Sequence, residues 1–132
     1  MAKCLIVDDD PDLGESLSSI LDDEGYKVQI AHDGREGLKK ISEEMPDIVL
    51  LDVEMPVLNG PDMAYELFVQ DCGKEFIPII LLSGVANLKQ VAERVGTPYF
   101  LAKPYHLDRL LNLVQQALAE QRSPVPRIRE QT

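Results

Sequence analysis

The stretch "DIVLLDVEMPVLNG", residues 47–60, sets a single carboxylate at the end of a continuous apolar run. Ile48–Leu51 has no polar alternation and leads directly to Asp52, and a Met-Pro pair and Gly60 follow. A short apolar run of this kind predicts a strand that is buried on both faces, as in parallel sheets. Because proline fixes φ and glycine permits positive φ, we expect a shaped loop directly behind Asp52.

On both sides of this stretch, short apolar runs alternate with segments of helical periodicity. Five strands are predicted, at Lys3–Val7, Tyr26–Ala31, Ile48–Leu51, Ile77–Leu82 and Tyr99–Ala102. The predicted helices carry Leu13, Leu17, Ile20 and Leu21; Arg35–Glu44; Pro61 to about Asp71; Leu88, Val91, Ala92 and Val95; and the stripe Leu107, Leu110, Leu111, Val114 and Leu118. Strands that alternate with helices indicate an α/β fold, with an open parallel sheet and helices on both faces.

The composition limits the classes of function. The chain has 132 residues, 45% of them apolar, which suits one compact domain with a core. The net charge of -10 disfavours binding to nucleic acid, and no apolar run reaches the roughly 18 residues that span a membrane. Without a signal-peptide pattern, we expect a cytoplasmic protein with Cys4 and Cys72 reduced. Residues 1–121 are the predicted domain, and residues 122–132, with two prolines, a flexible tail.

Polar side chains follow four of the predicted strands, at what would be one edge of the sheet. Asp8, Asp9 and Asp10 follow the first strand, Asp52 the third, Ser83 the fourth and Lys103 the fifth. Ligands of open α/β sheets bind at this carboxyl edge. At about 4 Å and an effective dielectric of 20, each like-charge pair among converging carboxylates costs on the order of 4 kcal/mol. Such a site must protonate, separate or hold a cation.

The chemistry of these groups suits phosphoryl transfer with a metal. Mg²⁺ takes one or two carboxylates and shares phosphate oxygens, so the acidic edge predicts a magnesium site. The Lys103 ammonium and the Ser83 hydroxyl would suit the oxygens of a transferring phosphoryl group. Asp52 is the candidate nucleophile, because it is the single acid in otherwise apolar surroundings.

Four motifs occur in order: "LIVDDDP" (Leu5–Pro11), "DIVLLDVEMPVLNG" (Asp47–Gly60), "IILLSG" (Ile79–Gly84) and "FLAKPY" (Phe100–Tyr105). Together they resemble the receiver domain of bacterial two-component response regulators, over about residues 3–120. The resemblance implies a flavodoxin-like (βα)5 fold, a doubly wound parallel sheet with strand order 2-1-3-4-5. It also implies transfer of a phosphoryl group from a phosphohistidine donor.

The resemblance assigns roles at the metal and the phosphate. Asp52 looks like the phosphoacceptor and a metal ligand. Asp9 looks like the direct magnesium ligand, with Asp8 acting mostly through water, and the backbone carbonyl of Glu54 matches the third ligand. We hypothesise that the acidic Glu54 side chain, next to Asp52 in sequence, changes the hydrolysis rate of the acyl phosphate; an unchanged decay rate in Glu54→Ala would contradict this.

Further roles follow from the same resemblance. Lys103 matches the lysine that pairs with the phosphoryl group, and Pro104 the proline whose preceding bond is usually cis. Ser83 matches the hydroxyl that moves onto the phosphate, and Phe100 the aromatic switch residue. The segment 83–96 is about two residues shorter than is usual in the family, which leaves the relay geometry of the fourth helix open.

The implied partners are a histidine kinase or histidine phosphotransfer protein and a downstream effector protein. A homodimer through the face of the fourth helix, fifth strand and fifth helix is a further option. No output domain is expected within these residues, so the signal would leave through protein contacts.

Two other classes stay open. "VLLDVE" loosely resembles the nucleophile strand of haloacid-dehalogenase-type phosphatases, although those carry Asp-x-Asp and this chain has Glu54 two residues after Asp52. Steady turnover of a phosphomonoester would favour that class. A phosphorylation-independent interaction module on the same fold is the third class.

Overall fold

The computed structural model describes residues 2–52 and 63–125, whose strands form one parallel sheet. The strands are β1 (Lys3–Asp8), β2 (Lys27–Ala31), β3 (Ile48–Asp52), β4 (Ile79–Ser83) and β5 (Tyr99–Ala102). They lie in the order β2-β1-β3-β4-β5, and every neighbouring pair is parallel. The expected flavodoxin-like topology is therefore confirmed.

Helices cover both faces of the sheet. The described helices are α1 (Pro11–Asp23), α2 (Gly34–Glu43), α3 (Met63–Lys74), α4 (Leu88–Val95) and α5 (Leu107–Glu120). One apolar cluster joins α2, α3 and α4 to the sheet, and a second joins α1 and α5 to its other face. The predicted start of the third helix at Pro61, and with it Glu54 and Gly60, lies outside the described residues.

The central strands are buried along their whole length, as their continuous apolar runs predict. Every residue of β3 and β4 is buried. Alternate side chains of β3 belong to different clusters: Val49 and Leu51 pack on the α2–α4 face, and Ile48 and Leu50 on the α1–α5 face. A strand with helices on both sides has no polar face, and period-two alternation is therefore absent from its sequence.

Capping carboxylates start two of the helices. Asp10 accepts a hydrogen bond from the Asp12 N–H at 3.0 Å at the start of α1, and Asp33 accepts one from the Glu36 N–H at 2.8 Å at the start of α2. Each satisfies a donor that the first turn leaves unpaired. At the other end of a helix, Gly96 closes α4 with a left-handed φ of 81°.

Some predicted positions need correction. The strand predicted from Ile77 begins at Ile79, because the Ile77 N–H bonds instead to the Cys72 carbonyl at the end of α3. In the predicted α5 stripe, Leu107 is 41% exposed, whereas Ala117 is buried. Leu13 of α1 is likewise 43% exposed. Leu107 and Leu13 occupy first turns at the carboxyl edge of the sheet, where little of the sheet lies beneath them.

A chain of hydrogen bonds ties β4, β5 and α5 together at the edge opposite the strand ends that carry the acids. The buried Thr97 hydroxyl donates to the Ile79 carbonyl at 2.5 Å and accepts from the Tyr99 N–H at 3.1 Å. The Tyr99 hydroxyl then donates to the Glu120 carboxylate at 2.6 Å. These bonds fix where β5 begins and how α5 ends against it.

The residues that follow α5 pack back onto the domain. Pro124 is buried, and the Val125 N–H donates to the Gly96 carbonyl at 3.0 Å. A Cβ placed on Gly96 would lie within 2.6 Å of three backbone atoms of Val125. Val125 of the predicted tail therefore contacts the turn between α4 and β5. The rest of that segment, 126–132, lies outside the described residues.

Both cysteines are free and buried, as expected for reduced thiols in the core. Burial raises the pKa of the Cys4 thiol to about 12. Burial, with a smaller contribution from the charge of Asp71, raises the pKa of the Cys72 thiol as well. Neither thiol is a nucleophile at neutral pH, because thiolate is the reactive form.

Candidate functional site

Three polar side chains occupy the last positions of β1, β3 and β4. Asp8, Asp52 and Ser83 are 1%, 3% and 3% exposed, and they are the final residues of their strands. Asp8 and Asp52 are direct partners in the β1–β3 register. The alternation that sends Ile6 and Leu50 to the α1–α5 face therefore sends both carboxylates to that same side.

Lys103 reaches Asp52 from the end of β5. Its Nζ lies 2.5 Å from Oδ1 of Asp52, in a pair whose carboxylate is almost fully buried. The Lys103 N–H also donates to the Ser83 carbonyl at 3.0 Å, which fixes the backbone beside β4. The following bond, Lys103-Pro104, is cis, as the resemblance implied. The pair thus joins the ends of β3 and β5 across β4.

Asp8 is the carboxylate of the site whose charged form is least favoured by its surroundings. Its Oδ1 accepts from the Asp10 N–H at 2.8 Å, but its buried Oδ2 has no hydrogen-bond partner among the residues that the structure describes. Burial raises the pKa of Asp8 from 3.8 to about 6, and the charge of Asp52 adds to the rise, while the Asp10 N–H and Lys103 oppose it. A buried carboxylate oxygen without a donor is stable only when it is protonated or meets a cation.

The Asp8 and Asp52 carboxylates supply some, but not all, of the ligands expected for a divalent cation. Asp9 is exposed, so the structure brings Asp8 and Asp52 together but leaves Asp9 on the surface. Among the described residues, no group of three or more His, Cys, Asp or Glu side chains could hold a metal ion. Glu54, the expected carbonyl ligand, lies outside those residues. The orphaned Asp8 Oδ2 and the adjacent Asp52 are the hard oxygen ligands that Mg²⁺ prefers.

The two expected switch residues occupy different surroundings. The Ser83 hydroxyl accepts from the Val85 N–H at 3.2 Å and so holds the turn after β4. Phe100 is 38% exposed, and it points away from the face to which Tyr99 and Leu101 contribute. Ser83 therefore ends β4 at the same edge of the sheet as Asp8 and Asp52, whereas Phe100 lies on the outer side of β5.

Tyr105 has no predicted role, but it lies beside the site. Its half-buried ring packs against the apolar cluster of the α1–α5 face. Burial raises the pKa of its phenol, the charges of Asp52 and Asp8 raise it further, and Lys103 opposes them. The signal in the sequence is its position two residues after Lys103.

Comparisons with known proteins agree with this geometry. A family model described as "Response regulator receiver domain" matches residues 4–115. Response regulator MprA of Mycolicibacterium vanbaalenii is 40% identical over 114 residues, which cover 83% of this chain and 47% of MprA. The chain therefore spans about half the length of the curated relatives it matches.

Solved structures share the fold over nearly the whole chain. A CheY-like response regulator receiver domain from Methanospirillum hungatei has a TM-score of 0.76 and 31% identity, and the match covers 92% of this chain and 96% of that one. Response regulator TrrA from Thermotoga maritima, solved in complex with Mg(2+)-BeF, has a TM-score of 0.73 and 29% identity, with 88% and 98% covered. Within the described residues, no helix is long and apolar enough to cross a membrane.

Proposed function

Since the chain belongs to the response regulator receiver domain family, we propose that Asp52 accepts a phosphoryl group from a phosphohistidine donor and that the acyl phosphate switches a protein-interaction surface. The observation that carries the proposal is the buried contact between Asp52 and Lys103, beside the unpartnered oxygen of Asp8. This arrangement presents a carboxylate nucleophile, a fixed ammonium and a second carboxylate that could ligate a cation on one side of the sheet edge.

The transfer exchanges one bond to phosphorus for another. An oxygen of the Asp52 carboxylate attacks phosphorus as the P–N bond of the donor breaks. The imidazole nitrogen keeps the electron pair of that bond and takes up a proton. Lys103 stabilises the negative charge on the transferring oxygens, and the Ser83 hydroxyl donates to one of them after it leaves the Val85 N–H.

Mg²⁺ is the cofactor of this proposal. Asp8, Asp9, Asp52 and the carbonyl of Glu54 would hold it, and it would supply positive charge that offsets the carboxylates and the phosphoryl oxygens. For the residues themselves, the consequence would be that the charge of the ionised Asp8 carboxylate gains a partner at its Oδ2.

The switch would pass from Ser83 to the outer side of β5. Movement of the Ser83 hydroxyl onto the phosphate vacates its place at the Val85 N–H, and the exposed Phe100 ring can turn inward. Such a ligand-dependent change shifts a two-state equilibrium. The face of α4, β5 and α5 would then present a different surface to an effector or to a second copy of the chain.

The proposed partners are a histidine kinase or phosphotransfer protein and a downstream effector, in the cytoplasm. The acidic net charge favours a protein effector over direct binding of nucleic acid by this domain. We propose that residues 1–121 act as a single receiver domain.

The test is direct phosphorylation. The protein is incubated with acetyl phosphate, with and without Mg²⁺, and its intact mass is measured over time. We expect a metal-dependent gain of one phosphoryl group that the near-isosteric Asp52→Asn abolishes. Labelling that persists in Asp52→Asn would contradict the assignment of the phosphoacceptor. Steady release of phosphate from a generic phosphomonoester would support the phosphatase class instead.

A further inference from the structure

Tyr105, the residue after the Lys103-Pro104 bond, has no role in the function proposed above. Tyr105 lies on the α1–α5 face, which is also the face toward which Asp8 and Asp52 point. Its ring is half-buried in the apolar cluster there, so the side chain has one packed end and one polar end. A tyrosine in such a place normally finds a partner for its hydroxyl.

The chain brings Tyr105 toward the site, because it follows by two residues Lys103, whose Nζ contacts Asp52. The charges that raise or lower the pKa of Tyr105 after burial belong to Asp52, Lys103 and Asp8. Lys103 and Asp52 are already in contact with each other, and Asp8 is the strand partner of Asp52. Tyr105 thus shares a face with Asp8 and Asp52 and follows Lys103 by two residues, and its phenol, whose pKa is raised by burial, is a neutral donor.

We propose, on the basis of the function proposed above, that the Tyr105 hydroxyl donates a hydrogen bond to the phosphoryl group on Asp52. It would be a third donor beside the Lys103 ammonium and the Ser83 hydroxyl. A phosphoryl group brings three acceptor oxygens to the edge of the sheet. Two of the charged groups there are carboxylates that cannot donate, so a neutral donor adds stabilisation without adding charge.

The hydroxyl, rather than the ring, carries this role. The ring packs against apolar neighbours, and a phenylalanine would fill the same volume. Tyr105→Phe therefore removes one donor and leaves the packing in place. A single neutral hydrogen bond contributes a net of about 0.5–1.5 kcal/mol, which is roughly a two- to tenfold change in affinity.

The experiment measures the affinity for beryllofluoride in the presence of saturating Mg²⁺, by calorimetry, as a stable probe of phosphoryl binding. We expect Tyr105→Phe to bind it two- to tenfold more weakly than the wild type, with the affinity for Mg²⁺ alone unchanged. Tyr26→Phe is the matched control, because Tyr26 packs against the same apolar cluster but precedes β2, at the opposite edge of the sheet. It should bind like the wild type.

A second readout uses the tyrosines of the folded wild type. The chain has four tyrosines and no tryptophan. Binding of Mg²⁺ and beryllofluoride should produce a near-ultraviolet tyrosine difference band that Tyr26→Phe retains and Tyr105→Phe loses. An affinity of Tyr105→Phe within twofold of the wild type, equal loss of affinity for Mg²⁺ alone, or a band that survives in this variant would each overturn the inference.

These outcomes are separable from failure of the proposed function. If the wild type takes up no phosphoryl group from acetyl phosphate and binds no beryllofluoride, then the phosphoacceptor role falls. If the wild type does both and Tyr105→Phe equals it, then only the role of Tyr105 falls.

Discussion

The buried carboxylate of Asp8 lowers the stability of the folded protein at neutral pH. In the metal-free protein its carboxyl pKa rises from 3.8 to about 6, so between about pH 4 and pH 6 the folded state binds more protons than the unfolded chain. The free energy of unfolding therefore falls as the pH rises through this window. Above it, the ionised and unpartnered Asp8 Oδ2 lowers stability.

We predict that Asp8→Asn stabilises the metal-free protein at pH 7 by up to about 3 kcal/mol, because the pKa rises by roughly two units and each unit corresponds to about 1.36 kcal/mol. The difference from the wild type should be small at pH 4, grow up to about pH 6 and then level off. Urea unfolding across this pH range measures it, with the exposed Asp9→Asn as control. A difference that does not depend on pH would contradict the prediction.

The sequence alone predicted which residues end the strands, but not which of them are buried. The apolar runs correctly predicted that Asp8, Asp52 and Ser83 end neighbouring parallel strands at one edge of the sheet. The same pattern cannot distinguish Asp8 from Asp9, since burial of one and exposure of the other depends on where β1 stops pairing with β3. Tyr105 received no role because it lies two residues beyond Lys103 and outside the strand end itself.

At the scale of elements, α2 and α3 approach closely at a glycine. A Cβ on Gly37 of α2 would lie 2.7 Å from a ring carbon of Phe68, which is fully buried in α3. A ring held on all sides cannot move away without displacing the cluster around it. The absence of a side chain at Gly37 therefore sets the spacing of the two helices.

We predict that Gly37→Ala lowers the free energy of unfolding by about 1–3 kcal/mol, the usual cost of overpacking. Gly14→Ala in α1 is the matched control, because its Cβ would meet its nearest atom at 3.5 Å, an ordinary contact. Its gain in helix propensity, up to about 1 kcal/mol, should leave stability equal or higher. Urea denaturation compares the two variants, and equal effects would refute the steric argument.

Helical periodicity predicted the elements but not the depth of each side chain. The stripe of α5 correctly includes Leu110 and Val114, while Leu107 lies exposed at the carboxyl edge. A period of 3.6 residues predicts which way a side chain points. Whether that side chain is buried also depends on how far the sheet extends beneath it, which other parts of the chain decide. Ala117 is buried because it lies over the sheet, but its small side chain gives only a weak hydrophobic signal in the sequence.

At the scale of the whole molecule, the segment after α5 is fastened to the turn before β5. The contact depends on Gly96, whose φ of 81° and missing Cβ admit the backbone of Val125. The sequence predicted only a flexible tail from residue 122, because its prolines and mixed charge carry no periodic pattern. A contact made by backbone atoms leaves little trace in side-chain composition.

We predict that Gly96→Ala releases residues 122–125 and lowers stability by more than the roughly 1 kcal/mol that positive φ costs an alanine. Limited proteolysis should then cut between residues 122 and 125, where the wild type resists. In a chain that ends at Gln121, the same substitution should cost only the φ penalty. Equal cost in both chains would show that the contact with Val125 contributes nothing.

Because both thiols are buried, we expect the native protein to react only slowly with alkylating reagents. A cysteine introduced at an exposed position would then react alone, so a spectroscopic label could be placed there without first removing Cys4 or Cys72. Conversely, the rate at which the native thiols become modified would report how often the whole domain opens.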